Sequence, residues 1–141
     1  MKLTEHFTLT EMTRSATAVA LGIDNTPDTE TTENLKNLCT EVLEPLRQWA
    51  GVPITVSSGY RSPELNRAVG GTPNSQHQKG EAADICIPNL TEGRKYMEFI
   101  LEYCRFDQLI WEHDRYGTHW IHVSCRRQGN RQSFIPRLLK K

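Results

Sequence analysis

Between residues 35 and 49 the apolar side chains Leu35, Leu38, Cys39, Val42, Leu43, Leu46 and Trp49 recur at three- and four-residue steps. That spacing lines them along one stripe of a helix. Gly51 stands just past its end, and Pro45 inside it predicts a kink. A seven-residue apolar face in a chain of 141 residues is expected to be core. Upstream, Thr8-Leu9-Thr10-Glu11 has the Ser/Thr-x-x-Glu spacing of a capping box and predicts a short helix.

The pattern then changes period. Ile54-Thr55-Val56 reads as a strand, and Ser57 to Arg61 as a turn. Ser62-Pro63 fits the N-cap and first turn of a brief helix that ends at Gly70-Gly71. The polar stretch from Thr72 to Gly80 predicts an ordered loop leading into a strand from Ala82 to Ile87, which Pro88 stops. A third long helix is expected after Thr91, with Met97, Ile100, Leu101 and Cys104 turned inward. Two further strands, Gln108 to Glu112 and Trp120 to Ser124, are joined by a short turn from His113 to Thr118. Helices collected before and between strands predict one α+β domain over residues 1–141, with an antiparallel sheet flanked by helices.

Composition removes several function classes. Lys plus Arg and Asp plus Glu number 17 each, so no global field recruits nucleic acid or an anionic membrane. No apolar run approaches the roughly 20 residues that span a bilayer, and the first ten residues lack the features of a signal peptide. A cytoplasmic protein, acting as a monomer without membrane or nucleic-acid partners, is the expectation. Cys39, Cys86, Cys104 and Cys125 are spread singly, which suggests reduced thiols and no zinc knuckle or redox motif. From Cys125 onward there are six Lys/Arg and no acidic residue. A solvated end is favoured for this tail over a patch that grips an anionic polymer such as cell wall.

The chemistry-bearing residues concentrate in the loop and strand ends. His77, Asp84, His119 and His122 lie there, and two imidazoles with one carboxylate suffice for a catalytic zinc site that keeps one position open. Ser75 to Asp84 supplies two donors; Gly80 and the small Ala82 and Ala83 let the chain fold back to bring His77 toward Asp84. His6 and His113 match no ligand position.

These residues form motifs: Ser-x-His-x-x-Gly-x-Ala-x-Asp at Ser75 to Asp84, then Trp-x-His-Val at Trp120 to Val123. They occur with Ser58-Gly59-Tyr60-Arg61-Ser62, Phe106-Asp107-Gln108-Leu109-Ile110, His6-Phe7-Thr8-Leu9 and Gly22-Ile23-Asp24-Asn25. In this order, over nearly the whole chain, they resemble the zinc D-alanyl-D-alanine carboxypeptidase and phage endolysin peptidases, which have a Hedgehog-like fold. The resemblance implies that His77, Asp84 and His122 hold Zn2+, and that Arg61 contacts substrate or the developing oxyanion. It further implies hydrolysis of peptidoglycan stem peptides by a zinc-activated water, either as a carboxypeptidase or as an endolysin-type endopeptidase of phage or prophage origin, released to the wall during lysis. A non-catalytic zinc-containing wall-binding module is the alternative.

The general base stays open between two residues. Relatives such as the vancomycin-resistance dipeptidases have Glu three positions before the last His ligand, where this chain has His119. Positions three apart on a regular strand face opposite sides, so His119 reaches the site only if the chain bends. Glu112, at the end of the preceding strand, is the rival.

Overall fold

The computed structural model describes residues 1–140. It is an α+β fold built on a five-stranded sheet of order β1-β2-β4-β3-β5. The strands are β1 (Val56–Ser58), β2 (Ala82–Cys86), β3 (Gln108–His113), β4 (His119–Ser124) and β5 (Ser133–Leu139). Pairs β1–β2, β2–β4 and β3–β4 are antiparallel, and β5 lies parallel to β3 at the edge.

The helices are α1 (Leu9–Thr13), α2 (Ala16–Leu21), α3 (Thr29–Leu38), α4 (Glu44–Ala50), α5 (Pro63–Ala68) and α6 (Leu90–Tyr103). The expected capping box closes α1: Thr8 Oγ1 accepts from Glu11 N–H, and Glu11 Oε1 accepts from Thr8 N–H, both at 3.2 Å. Ser62 caps α5 and Asn89 caps α6. The disruption expected at Pro45 takes the form of one wide π-turn, Cys39–Leu43, joining α3 to α4. Pro45 has no N–H to offer the preceding turn, and the widened spacing lets Glu44 N–H bond Cys39 O instead.

The sheet has two unlike faces. On one, Ala83, Ile85, Leu109, Trp111, Ile121 and Val123 pack beneath α3, α4 and α6, and the Leu35, Leu38, Cys39, Val42, Leu43 and Leu46 stripe is fully buried. Two side chains expected inside are not. Leu101 is 43% exposed, because it follows Ile100 by one position and so lies about 100° round the helix. Trp49 is 49% exposed and stacks its ring on Phe99 of α6 at 4.9 Å. All four cysteines are free. No helix among the described residues is long and apolar enough to cross a membrane.

The described part of the basic tail, up to Lys140, is largely exposed, as expected for a solvated end, but it is an ordered element and not a loose one. It forms β5, an element that the charge pattern conceals: its Arg and Lys residues flank apolar Phe134, Ile135, Leu138 and Leu139, which suit a pleated surface. Ile110 pairs with Ile135, but Glu112 pairs with Leu138, so β5 carries one extra residue at a bulge beside Pro136. A bulge on an edge strand is where proline is tolerated. The extra residue reverses the alternation, and Leu138 and Lys140 face the side of the sheet away from the core.

A chain ending at Gln132 leaves the β3 edge unpaired. It is expected to lose at least about 2 kcal/mol of unfolding free energy, or to aggregate, in a urea titration against the full chain.

Candidate metal centre

Residues directly opposed in antiparallel strands share a face. Asp84 of β2 and Ile110 of β3 both lie opposite His122 of β4, and Cys86 and Glu112 both lie opposite Trp120. The sheet face away from the core therefore carries Asp84 beside His122, with Glu112 and Trp120 one row along. His122 Nδ1 is 3.0 Å from Asp84 Oδ1.

The third donor comes from outside the sheet. Ser75 Oγ caps a 3-10 turn, Gln76–Lys79, that hands the chain into β2. Gly80 ends that turn at φ +73, and an added Cβ there would stand 2.6 Å from Thr31 O. Only glycine fits both demands. The turn buries His77, whose Nδ1–H donates to Gly59 O at 2.7 Å and whose backbone O accepts from Arg61 N–H at 3.0 Å. Asn25 braces the other side: its side chain donates to Thr13 O and Tyr60 O and accepts from Ser62 N–H. Gly59 itself is locked, since a Cβ would lie 2.3 Å from Met12 O.

The donor chemistry fits a divalent cation. A carbonyl oxygen only accepts, so the bond to Gly59 fixes the proton on Nδ1 and leaves a lone pair on Nε2 of neutral His77. That lone pair points at Asp84 Oδ1, 3.4 Å away. Two acceptors so placed need a cation between them or a protonated imidazole. Burial disfavours the imidazolium and lowers the His77 pKa, an effect that Asp84 offsets only in part. Burial acts to raise the Asp84 pKa, but the hydrogen bond from His122 opposes it and the net direction is downward, so the carboxylate stays ionised. One ligand atom from each of His77, Asp84 and His122 falls within 4.8 Å of the others. The 3.0 and 3.4 Å separations match the roughly 3.3 Å between tetrahedral ligands with bonds of about 2.0–2.1 Å. Glu5, His6 and Glu44 form a second donor group. There His6 is tied up by Glu44, with its backbone N–H and ring nitrogen at 2.8 and 2.7 Å.

The two rivals for the base separate. Glu112 is 2% exposed, with Oε1 4.0 Å from His122 Nδ1 and accepting from Trp120 Nε1–H at 2.9 Å. Its Oε2 meets Lys140 Nζ at 3.2 Å. His119 stands on the opposite face of β4, where Trp111 Nε1–H donates to its Nδ1 at 2.9 Å and His113 stacks on it at 5.4 Å. The strand stays regular there, so His119 is not brought to the cluster.

A cleft of about 690 Å³ opens over these groups, lined by Arg61, His77, Asp84, Glu112, Trp120 and His122 among others. Arg61 is half-buried, and its Nε–H has no hydrogen-bond partner among the described residues. Three contributors escaped the sequence reading. Trp120 had a signal, since it precedes His122 by two positions and so shares its face. The Gly59 carbonyl and Lys140 had none, because neither backbone acceptors nor a distant edge strand show in local spacing.

Asp107, at the start of β3, is fully buried and gathers the C-terminal arm. Its Oδ1 accepts from Arg131 N–H and Nε–H at 3.0 Å each, and its Oδ2 from Arg131 Nη2 at 2.6 Å and Gln76 Nε2 at 3.1 Å. Arg126 Nε lies 3.4 Å from the same Oδ2. The Arg131 hydrogen bond, more than burial opposes, holds the Asp107 pKa down at about 2. A depressed folded pKa contributes stability that is present above the unfolded value near 3.9 and is lost as pH falls toward about 2. Asp107→Asn is expected to cost about 1–3 kcal/mol at pH 7, with the gap to wild type closing below about pH 2 in denaturant titrations.

No curated protein matches the chain at a significant level. The family model described as Peptidase M15 matches residues 5–124, which include the His77 turn, β2, β3 and β4. The chain therefore belongs to the peptidase M15 family, the zinc D-alanyl-D-alanine carboxypeptidase family that its motifs resemble.

Proposed function

We propose that this chain is a zinc metallopeptidase that hydrolyses peptidoglycan stem peptides, with His77, Asp84 and His122 as metal ligands and Glu112 as general base. The observation that carries the reading is the neutral His77 lone pair aimed at the half-buried Asp84 carboxylate, with His122 completing the set. When bound there, zinc supplies the Lewis acidity that polarises a peptide carbonyl and acidifies water.

The side chains divide the remaining work. Glu112 Oε1 takes the proton of the attacking water and returns it to the leaving amine; Trp120 and Lys140 hold the carboxylate in place for both transfers. The free Arg61 Nε–H and its guanidinium fork donate to the oxyanion as charge develops on the former carbonyl oxygen. His77 is kept in its ligating tautomer by Gly59. Family membership supports peptidoglycan peptides as the substrate class, and the protein is proposed to act on them as a monomer. A wall-binding module would have no use for a buried carboxylate beside His122, which favours turnover over the binding-only alternative.

Purified peptidoglycan incubated with protein matched one-to-one for zinc is expected to yield new amino and carboxy termini by mass spectrometry; absence of release with metal bound would overturn the enzyme reading. His77→Ala is expected to lose both zinc and release. Glu112→Gln should retain zinc while kcat falls about 10²–10⁴-fold, whereas His119→Ala stays within a few-fold of wild type. The reverse order would make His119 the base.

A further inference from the structure

The wall of the cleft next to the metal ligands is built by Arg126 and Arg131, and both converge on Asp107. One guanidinium is enough to satisfy that carboxylate: Arg131 docks side-on through Nε and Nη2, and its own backbone N–H and Gln76 add two more donors. Arg126 then brings a second positive charge to the same Oδ2 at 3.4 Å, against repulsion from Arg131. Asp107 has no capacity to neutralise both. The cluster carries a net charge of +1 on the cleft wall, and the Arg126 Nη atoms have no acceptor among the described residues.

The cluster is also rigid and close to the chemistry. Asp107 is pinned at the sheet end, its N–H donating to Ser124 O and its O accepting from Ser133 N–H, at 2.7 and 2.9 Å. Gln76, which donates to Asp107, adjoins His77 in sequence. An anion on this wall lies in the same cleft as His77, Asp84 and His122. Of the other charges lining the cleft, Asp84 is one of the proposed metal donors and Glu112 is matched by Lys140, while Arg61 and Lys79 add further positive charge, so the surplus is cationic. Arg126 and Arg131 both lie beyond residue 124, where the family match stops.

We infer that Arg126 and Arg131, held on Asp107, form a subsite that receives a free carboxylate of the peptide substrate away from the scissile bond, and so select acidic stem peptides over their amidated forms. The inference rests on the peptidase reading above. A bidentate or charge-assisted contact to a carboxylate is the strength of interaction that discriminates an acid from its neutral amide isostere about tenfold.

The test uses zinc-loaded full chain and two C-terminally amidated pentapeptides, L-Ala-γ-D-Glu-L-Lys-D-Ala-D-Ala and the same peptide with the glutamate α-carboxylate converted to an amide. The acid form is expected to be cleaved with kcat/KM about tenfold higher, and the preference to shrink with added salt. Arg126→Gln should bring the acid-to-amide ratio close to one, and Arg126→Lys should restore part of it, in proteins whose unfolding midpoints match wild type. A wild-type ratio near one, or a ratio unchanged in Arg126→Gln, overturns the subsite. Titration calorimetry measures the same ratio as Kd values on the same proteins. If neither peptide is cleaved but the acid binds more tightly through Arg126, the subsite stands and the peptidase reading is decided by the peptidoglycan digest alone; equal binding fails the subsite by itself.

Discussion

A half-buried carboxylate next to two imidazoles is the constraint around which this structure is arranged. Asp84 and His122 meet because β2 and β4 are antiparallel neighbours and opposed residues share a face. His77 meets them only because a glycine-terminated turn folds back over the same face. Taking Asp84 even partly out of water is costly without compensating positive charge or donors; His122 supplies one donor, while the neutral His77 presents a lone pair and not a proton. The polypeptide thus brings the His77 lone pair and the Asp84 carboxylate together as two acceptors that a cation between them would reconcile, which supports the proposed metal site.

The two faces of the sheet keep structure and chemistry apart. Ile85, Leu109, Ile121 and Val123 point into the core beneath the helices, so the alternate positions Asp84, Ile110, Glu112, Trp120 and His122 are free to line a cleft. The C-terminal strand completes that cleft. Its bulge reverses the alternation after Pro136 and turns Lys140 toward Glu112. The segment leading into it places Arg126 and Arg131 on Asp107. One wall of the site thus comes from residues that follow the last of the metal donors.

Local signals in the sequence were strong where one residue type has one physical use. The Thr8–Glu11 capping box, the helix stripe from Leu35 to Leu46, Ser62-Pro63 and the return of the chain through Gly80 all appear where spacing placed them. Strand parity on β4 separated His119 from His122 as the two-residue repeat requires, leaving Glu112 as the carboxylate next to the donors. Legibility failed where the determinant was non-local. β5 reads as a basic tail because its charges dominate the composition, while its pairing with β3 depends on an edge that only the assembled sheet offers. Trp49 and Leu101 were expected in the core, yet both lie largely exposed, Leu101 because it sits about 100° round the helix from buried Ile100.

The set of atoms around the metal is what the whole scheme turns on, and X-ray absorption at the zinc edge reads it directly. Protein loaded with one equivalent of zinc should show a first shell of nitrogen and oxygen at about 2.0–2.1 Å, with the outer-shell scattering of two imidazoles and no sulfur. His122→Ala should reduce the imidazole contribution from two to one. A shell containing sulfur at about 2.3 Å, or an imidazole count that His122→Ala leaves unchanged, would contradict the assignment of His77, Asp84 and His122 as the metal site.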